Sequence, residues 1–222
     1  PLPPLATQKR IAEILDKADA LRQKDQALLR KYDELAQAVF VDMFGDPVRN
    51  EKGWEVKKLG DCIVRIQIGP FGTQLHESDY VQDGIPIINP MHMRDLKIHP
   101  NNKYTITMDK YQSLEQYWLK ENDVIMARRG EMGRCALVTK QERGFLCGTG
   151  SLIISTVQSI INPFFLVYLL SRSSSRKALE NIAAGTTMAN LNKTIIQDFT
   201  VIVPPIEKQE SFYKAINVSE FR

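Results

Sequence analysis

Pro3-Pro4-Leu5-Ala6-Thr7-Gln8 recurs in degenerate form, near the other end of the chain, as Pro204-Pro205-Ile206-Glu207-Lys208-Gln209. Each copy opens on a Pro pair that blocks helix behind it, then an apolar residue, then Gln at the same offset. Pro suits a helix start, because its missing N–H would have no partner there in any case. A long helical run follows the first copy, and the second begins one with Glu210-Ser211-Phe212-Tyr213-Lys214-Ala215-Ile216. In that run Ile14, Leu21, Leu28 and Leu35 are seven apart, and Ile11, Ala18, Tyr32 and Val39 fill the other core position, interrupted by Asp25. This is the seam of a left-handed coiled coil, with Leu15, Leu29 and Ala36 widening one flank. Gly45 and Asp46-Pro47 stop it. The spacing therefore predicts a helix over about 5–43 that needs an antiparallel partner, either the second copy or another chain. The recurrence implies a modular chain in which helix and globular domain alternate.

The remaining composition narrows the class. With 222 residues, 43% hydrophobic and 25% charged, the chain can bury one sizeable core plus an appendage. No apolar stretch approaches the ~18 residues of a membrane span, and Pro1 is followed by no basic region and apolar core of a leader. Cytoplasmic placement is the expectation, and the absence of an initiator methionine fits a fragment or processed product. Cys62, Cys135 and Cys147 are odd in number and share no CxxC spacing, so neither a disulfide framework nor a zinc site is expected. Residues 1–50 hold eight basic and eight acidic side chains, so the net charge of +3 lies wholly beyond the first helix. That balance permits a polyanionic partner without demanding one.

Past Trp54 the texture changes to short apolar runs between turns. Strands are predicted at Ile63–Ile68, Ile85–Asn89, Asp123–Arg128, Cys135–Thr139, Ser151–Ser155 and Thr200–Val203. Asn162-Pro163 caps a helix to about Ser171, and Ser173 or Ser174 starts another to about Ala184. The fold class is α+β: a long coiled-coil-forming helix (1–45), a mixed α/β domain with a strongly bent or barrel-like sheet (46–203), and the start of a second helix (204–222).

Catalytic motifs are missing. His76, His92 and His99 share no metal-ligand spacing, and no HExxH, GxSxG or P-loop is present. Asn162-Pro163-Phe164-Phe165 brushes against the signature of adenine aminomethyltransferases, but Phe164 stands where a second Pro is needed, and a helix cap is the better reading. Asp83 with Asp95-Leu96-Lys97 fits a nuclease pattern only as loosely as chance supplies. No catalytic or metal-ligating residue is therefore assigned. Three loops carry a different chemistry. These are Gly69-Pro70-Phe71-Gly72-Thr73-Gln74, Arg128-Arg129-Gly130-Glu131-Met132-Gly133-Arg134, and Gly185-Thr186-Thr187-Met188-Ala189-Asn190-Leu191-Asn192-Lys193. Backbone N–H groups, Thr hydroxyls, Asn and Gln amides and Arg or Lys are the inventory for holding phosphates and reading base edges.

On these loops, on the PPxxxQ segments, and on Trp54 with Leu59-Gly60-Asp61, Gly84-Ile85-Pro86-Ile87-Ile88 and Leu119-Lys120-Glu121-Asn122-Asp123-Val124-Ile125-Met126-Ala127, the chain resembles half of a specificity subunit of Type I restriction–modification systems. The resemblance implies one target-recognition domain reading one half of a bipartite site in double-stranded DNA. It implies methyltransferase and restriction subunits as partners. It also implies no cofactor on this chain, with S-adenosylmethionine, ATP and Mg expected on those partners only. The expected DNA-binding residues are Gly69, Phe71, Gly72, Thr73, Gln74, Arg128, Arg129, Gly130, Arg134, Thr186, Thr187, Asn190, Asn192 and Lys193. Helix pairing is expected through Ile14, Leu21, Leu28, Tyr32 and Leu35, giving a homodimer or a pair with a second half-subunit. The competing readings are a solitary adenine methyltransferase or nuclease with drifted motifs, and a purely structural coiled-coil scaffold.

Overall fold

The computed structural model describes residues 2–184 and 190–220, the side chains of 217–220 excepted. In chain order the elements are α1 (Leu5–Phe44), β1 (Val56–Lys58), β2 (Ile63–Ile68), β3 (Tyr80–Val81), β4 (Ile85–Ile88), β5 (Met93–Arg94), β6 (Lys97–Ile98), β7 (Thr105–Ile106), α2 (Met108–Gln112), β8 (Val124–Ala127) and β9 (Cys135–Leu137). There follow β10 (Leu146–Cys147), β11 (Ser151–Thr156), α3 (Pro163–Ser171), α4 (Ser173–Ala184), α5 (Lys193–Asp198), β12 (Thr200–Ile202) and α6 (Ile206–Glu220).

The expected bent sheet takes the form of two four-stranded sheets and two two-stranded ribbons, with no closed barrel among the described residues. The central sheet, β2-β11-β8-β9, is antiparallel throughout. Its inner strands β8 and β11 are buried on both faces, which is why they read as apolar runs, whereas the edge strand β2 keeps Val64 exposed. Val124, Met126, Leu152 and Ile154 face a helical layer that includes α3 and α4. Ile125, Ala127, Ala136 and Ile153 face the second sheet, β10-β4-β7-β3. Successive side chains on a strand point to opposite faces, so each strand serves two cores. Asn162 caps α3 as expected, accepting from the N–H groups of Phe164 and Phe165 at 2.9 and 3.3 Å.

The long helix stands on this body by its last turns only. Ala36, Phe40 and Phe44 are buried, while Ile11, Ile14, Leu21, Leu28, Tyr32 and Leu35 remain exposed. Phe40 and Phe44 meet Phe165 of α3 and Phe212 of α6 at ring-centroid distances of 4.8 to 5.7 Å. The second PPxxxQ copy thus partners the foot of α1 and leaves the heptad stripe uncovered.

The two copies share one local device. The Gln8 amide donates to the Pro3 carbonyl at 2.7 Å, and the Gln209 amide donates to the Pro204 carbonyl at 2.7 Å. Their surroundings differ. Gln209 is fully buried, accepts from the Asn162 N–H at 2.9 Å and donates to Ile160 O at 3.1 Å. In the same register Val203, Pro204, Phe212 and Ile216 are buried, whereas Leu2, Pro3, Ile11 and Leu15 are exposed. This equivalence gives a paired test. Phe212→Ala should cost about 3–5 kcal/mol, as full burial of an aromatic ring predicts. Ile11→Ala should stay within about 0.5 kcal/mol at concentrations where the chain is monomeric. Denaturant unfolding of both variants measures the contrast, and equal costs would contradict the docked and undocked assignment.

Candidate nucleic-acid interface

Antiparallel pairing brings separate loops to one end of the central sheet. Ile68 pairs with Leu152 and Ala127 with Ser151, so the C-terminal ends of β2 and β8 lie beside the N-terminal end of β11. The segments leaving those ends are Gly69–Gln74, the hairpin Arg128–Arg134 and the turn Gly148–Gly150. They are tied by main-chain hydrogen bonds. Gly69 N–H donates to Ser151 O, and Arg128 N–H to Gly150 O, both at 3.0 Å. A Cβ at Gly69 would lie 1.9 Å from the Gly148 carbonyl oxygen, so only glycine permits this approach. The third predicted loop arrives there as well, because Leu191 N–H donates to Arg128 O at 3.0 Å.

Within this cluster the residues divide into supports and exposed groups. Arg128 is a correction to the expected solvated tip. It is 7% exposed and its Nε donates to Leu191 O at 3.3 Å, so it fastens the hairpin to the loop before α5. Arg129 and Gly130 are exposed, while Arg134 is half-buried, paired with Glu131 and hydrogen-bonded to Pro90 O at 3.5 Å. Phe71 is 62% exposed, and Gly72, with φ 61°, and Thr73 stand out beside it. Gln74 is partly committed, its Oε1 accepting from Tyr117 Oη at 2.7 Å and Phe71 N at 3.3 Å.

Asn190 is half-buried, and its Oδ1 has no hydrogen-bond partner among the described residues. Asn192 caps α5 by accepting from Ile195 N at 2.9 Å, which is a structural task. Lys193 lies beside Arg65 and Ile66 along the flank of β2 rather than at the loop end. Thr186 and Thr187 lie outside the described residues. The loose nuclease pattern finds a local explanation: Asp83 accepts from Asn102 Nδ2 at 3.0 Å, and Asp95 sits in the turn of the β5–β6 ribbon.

A fourth segment at this end escaped the sequence reading. The turn Asn89–His92 abuts Gly148, whose N–H donates to Ile88 O at 3.0 Å. His92 closes it, its Nδ1 accepting from Asn89 N at 3.1 Å and its ring meeting Tyr104 edge-on at 5.1 Å. The available signal was an Asn-Pro turn followed by His, which periodicity does not rank. Burial holds the His92 pKa below the ordinary histidine value, and the charge of Arg94 adds to this. The sign follows. As pH falls through about 6.5 the unfolded chain takes up a proton that the folded chain refuses. Stability therefore drops, until the buried ring itself protonates and turns its acceptor into a donor facing Asn89 N–H. Denaturant midpoints between about pH 7.5 and pH 5.5 should fall more steeply for the parent than for His92→Gln. Parallel profiles would contradict it.

A family profile, described as the Type I restriction modification DNA specificity domain, matches residues 51–218. The specificity subunit of the Type I restriction enzyme MjaIX of Methanocaldococcus jannaschii is 25% identical, over 97% of this chain and 52% of its own length. The EcoBI specificity subunit of Escherichia coli is 24% identical, over 97% of this chain and 50% of its own. Among solved structures, an HsdS subunit from Thermoanaerobacter tengcongensis aligns with a TM-score of 0.58 at 22% identity, over 98% of this chain and 51% of that one. The chain spans about half the length of the curated relatives it matches. With the profile covering most of its residues, the chain belongs to the family of Type I restriction–modification DNA specificity domains.

Proposed function

We propose that this chain is a non-catalytic, sequence-reading unit of a Type I restriction–modification complex acting in the cytoplasm. Residues 46–203 form the target-recognition domain, with the long helix before it (1–45) and the start of a second helix after it (204–222). The observation that carries this is the convergence of the Gly69–Gln74, Arg128–Arg134 and Asn190–Leu191 segments at one end of the central sheet, with Arg129, Phe71 and Thr73 exposed. Such an end offers cationic, hydroxyl and amide groups to one half of a bipartite duplex site. Methyl transfer, translocation and cleavage then fall to methyltransferase and restriction subunits, which hold S-adenosylmethionine, ATP and Mg.

The two neighbouring arginines separate reading from support. Arg129→Ala should weaken duplex binding and lower the slope of log K against log salt by about one, as the loss of one phosphate contact requires. Arg128→Ala should instead cost on the order of 1–3 kcal/mol of folding stability, because it removes a buried hydrogen-bonded group. Fluorescence anisotropy across a salt series, with thermal melts of both variants, checks this. An Arg129→Ala variant with unchanged affinity and slope would remove the hairpin from the interface.

The exposed heptad face of α1 supports pairing with a second helix, from another copy or another half-subunit. Leu21→Asp with Leu28→Asp should yield monomer in sedimentation equilibrium under conditions where the parent self-associates. A parent that stays monomeric at micromolar concentration would refute homodimer formation.

A further inference from the structure

We propose that the turn Asn89–His92 is an additional reading element and that Met91, at its apex, makes an apolar contact to a thymine methyl group in the major groove. This rests on the DNA-reading role proposed above and adds to it a residue chosen by geometry alone. Met91 is 54% exposed, although Asn89 and Pro90 beside it are half-buried and His92 is buried. An exposed methionine on a loose loop would mean little. This turn is held from three sides.

His92 closes it internally by accepting from Asn89 N–H, while His92 O accepts from His99 N at 2.7 Å. Gly148 presses against it so closely that a Cβ there would lie 2.1 Å from Asn89 Oδ1. Arg134, from the reading hairpin, donates to the Pro90 carbonyl. The apex is thereby fixed relative to Arg129 and to the Gly69–Gln74 loop, as an element that reads bases must be. A thioether is unbranched and polarisable, and it adapts to an apolar surface. In the major groove the thymine 5-methyl is the apolar feature of an A·T pair. Phe71 brings a second exposed apolar side chain to this end of the sheet, so the surface is suited to contacts beyond phosphate neutralisation.

The test uses the full chain. Its preferred site is first selected from random duplex DNA, and each thymine of that site is then replaced in turn by deoxyuridine, which removes only the methyl group. For the parent, one replacement should weaken binding about three- to tenfold, as loss of one buried methyl predicts. Met91→Ala, folded to the parent melting temperature, should bind the intact site more weakly by a similar factor and be insensitive to deoxyuridine at that position. The proposal is overturned if no replacement affects the parent, or if the variant keeps the parent's sensitivity at every thymine. Failure of the parent to enrich any sequence would overturn the DNA-reading role itself, which distinguishes the two failures.

Discussion

Four phenylalanines from three helices decide where everything else lies. Phe40 and Phe44 end α1, Phe165 belongs to α3 and Phe212 to α6, and all four are fully buried. Their rings meet in tilted, stacked and edge-on geometries that aromatic quadrupoles favour beyond the gain from area alone. Trp54 closes the group from the domain side and donates its indole N–H to Phe44 O at 3.0 Å. Without this cluster a forty-residue helix would have no fixed angle to the domain. With it, α1 projects as a rod of roughly 60 Å at ~1.5 Å per residue.

The same cluster leads by short steps to the loop end. Phe165 lies on α3, and Val167 of that helix accepts from the Cys135 thiol of β9 at 3.5 Å. Burial drives that thiol up to about 11, so it stays protonated and acts as a packed donor. From β9 the path runs across the hairpin to Arg128 and Leu191. Helix foot, sheet and loops are thus joined through buried groups, and the loops inherit their direction from the aromatic foot.

Much of this was legible in the sequence, for identifiable reasons. β2, α3 and α4 follow their predicted bounds because six consecutive apolar-rich residues, an Asn-Pro cap and a serine run each carry a strong local signal. The strands β3, β5, β6, β7 and β10 are two residues long, too short for any period to show, and they exist through pairing with distant partners. The heptad stripe was visible, yet the docking residues Phe40 and Phe44 stand outside it. Local pattern describes the exposed seam, whereas tertiary contact selects the foot. Arg128 and Arg129 are chemically identical neighbours just past β8, and only a distant partner, the Leu191 carbonyl, takes one inward while the turn leaves the other exposed. The Asn89–His92 turn reaches this end of the sheet through Gly148 and Arg134, each more than forty residues away in sequence.

The short ribbon β1–β12 forms the neck of the domain. Val56 pairs with Ile202 and Lys58 with Thr200, so the chain enters and leaves the domain through the same two strands. Val203 N–H donates to Glu55 O at 2.7 Å immediately beside the start of α6. Everything between Leu59 and Phe199 is therefore a closed excursion pinched at its neck. The excursion also holds the flanking helices from within, since Phe165 packs on Phe40 and Phe44 of α1 and Asn162 N–H donates to Gln209 of α6. The neck thus sets the start of α6 next to the strand that follows α1, so both helices leave the domain from one side of it.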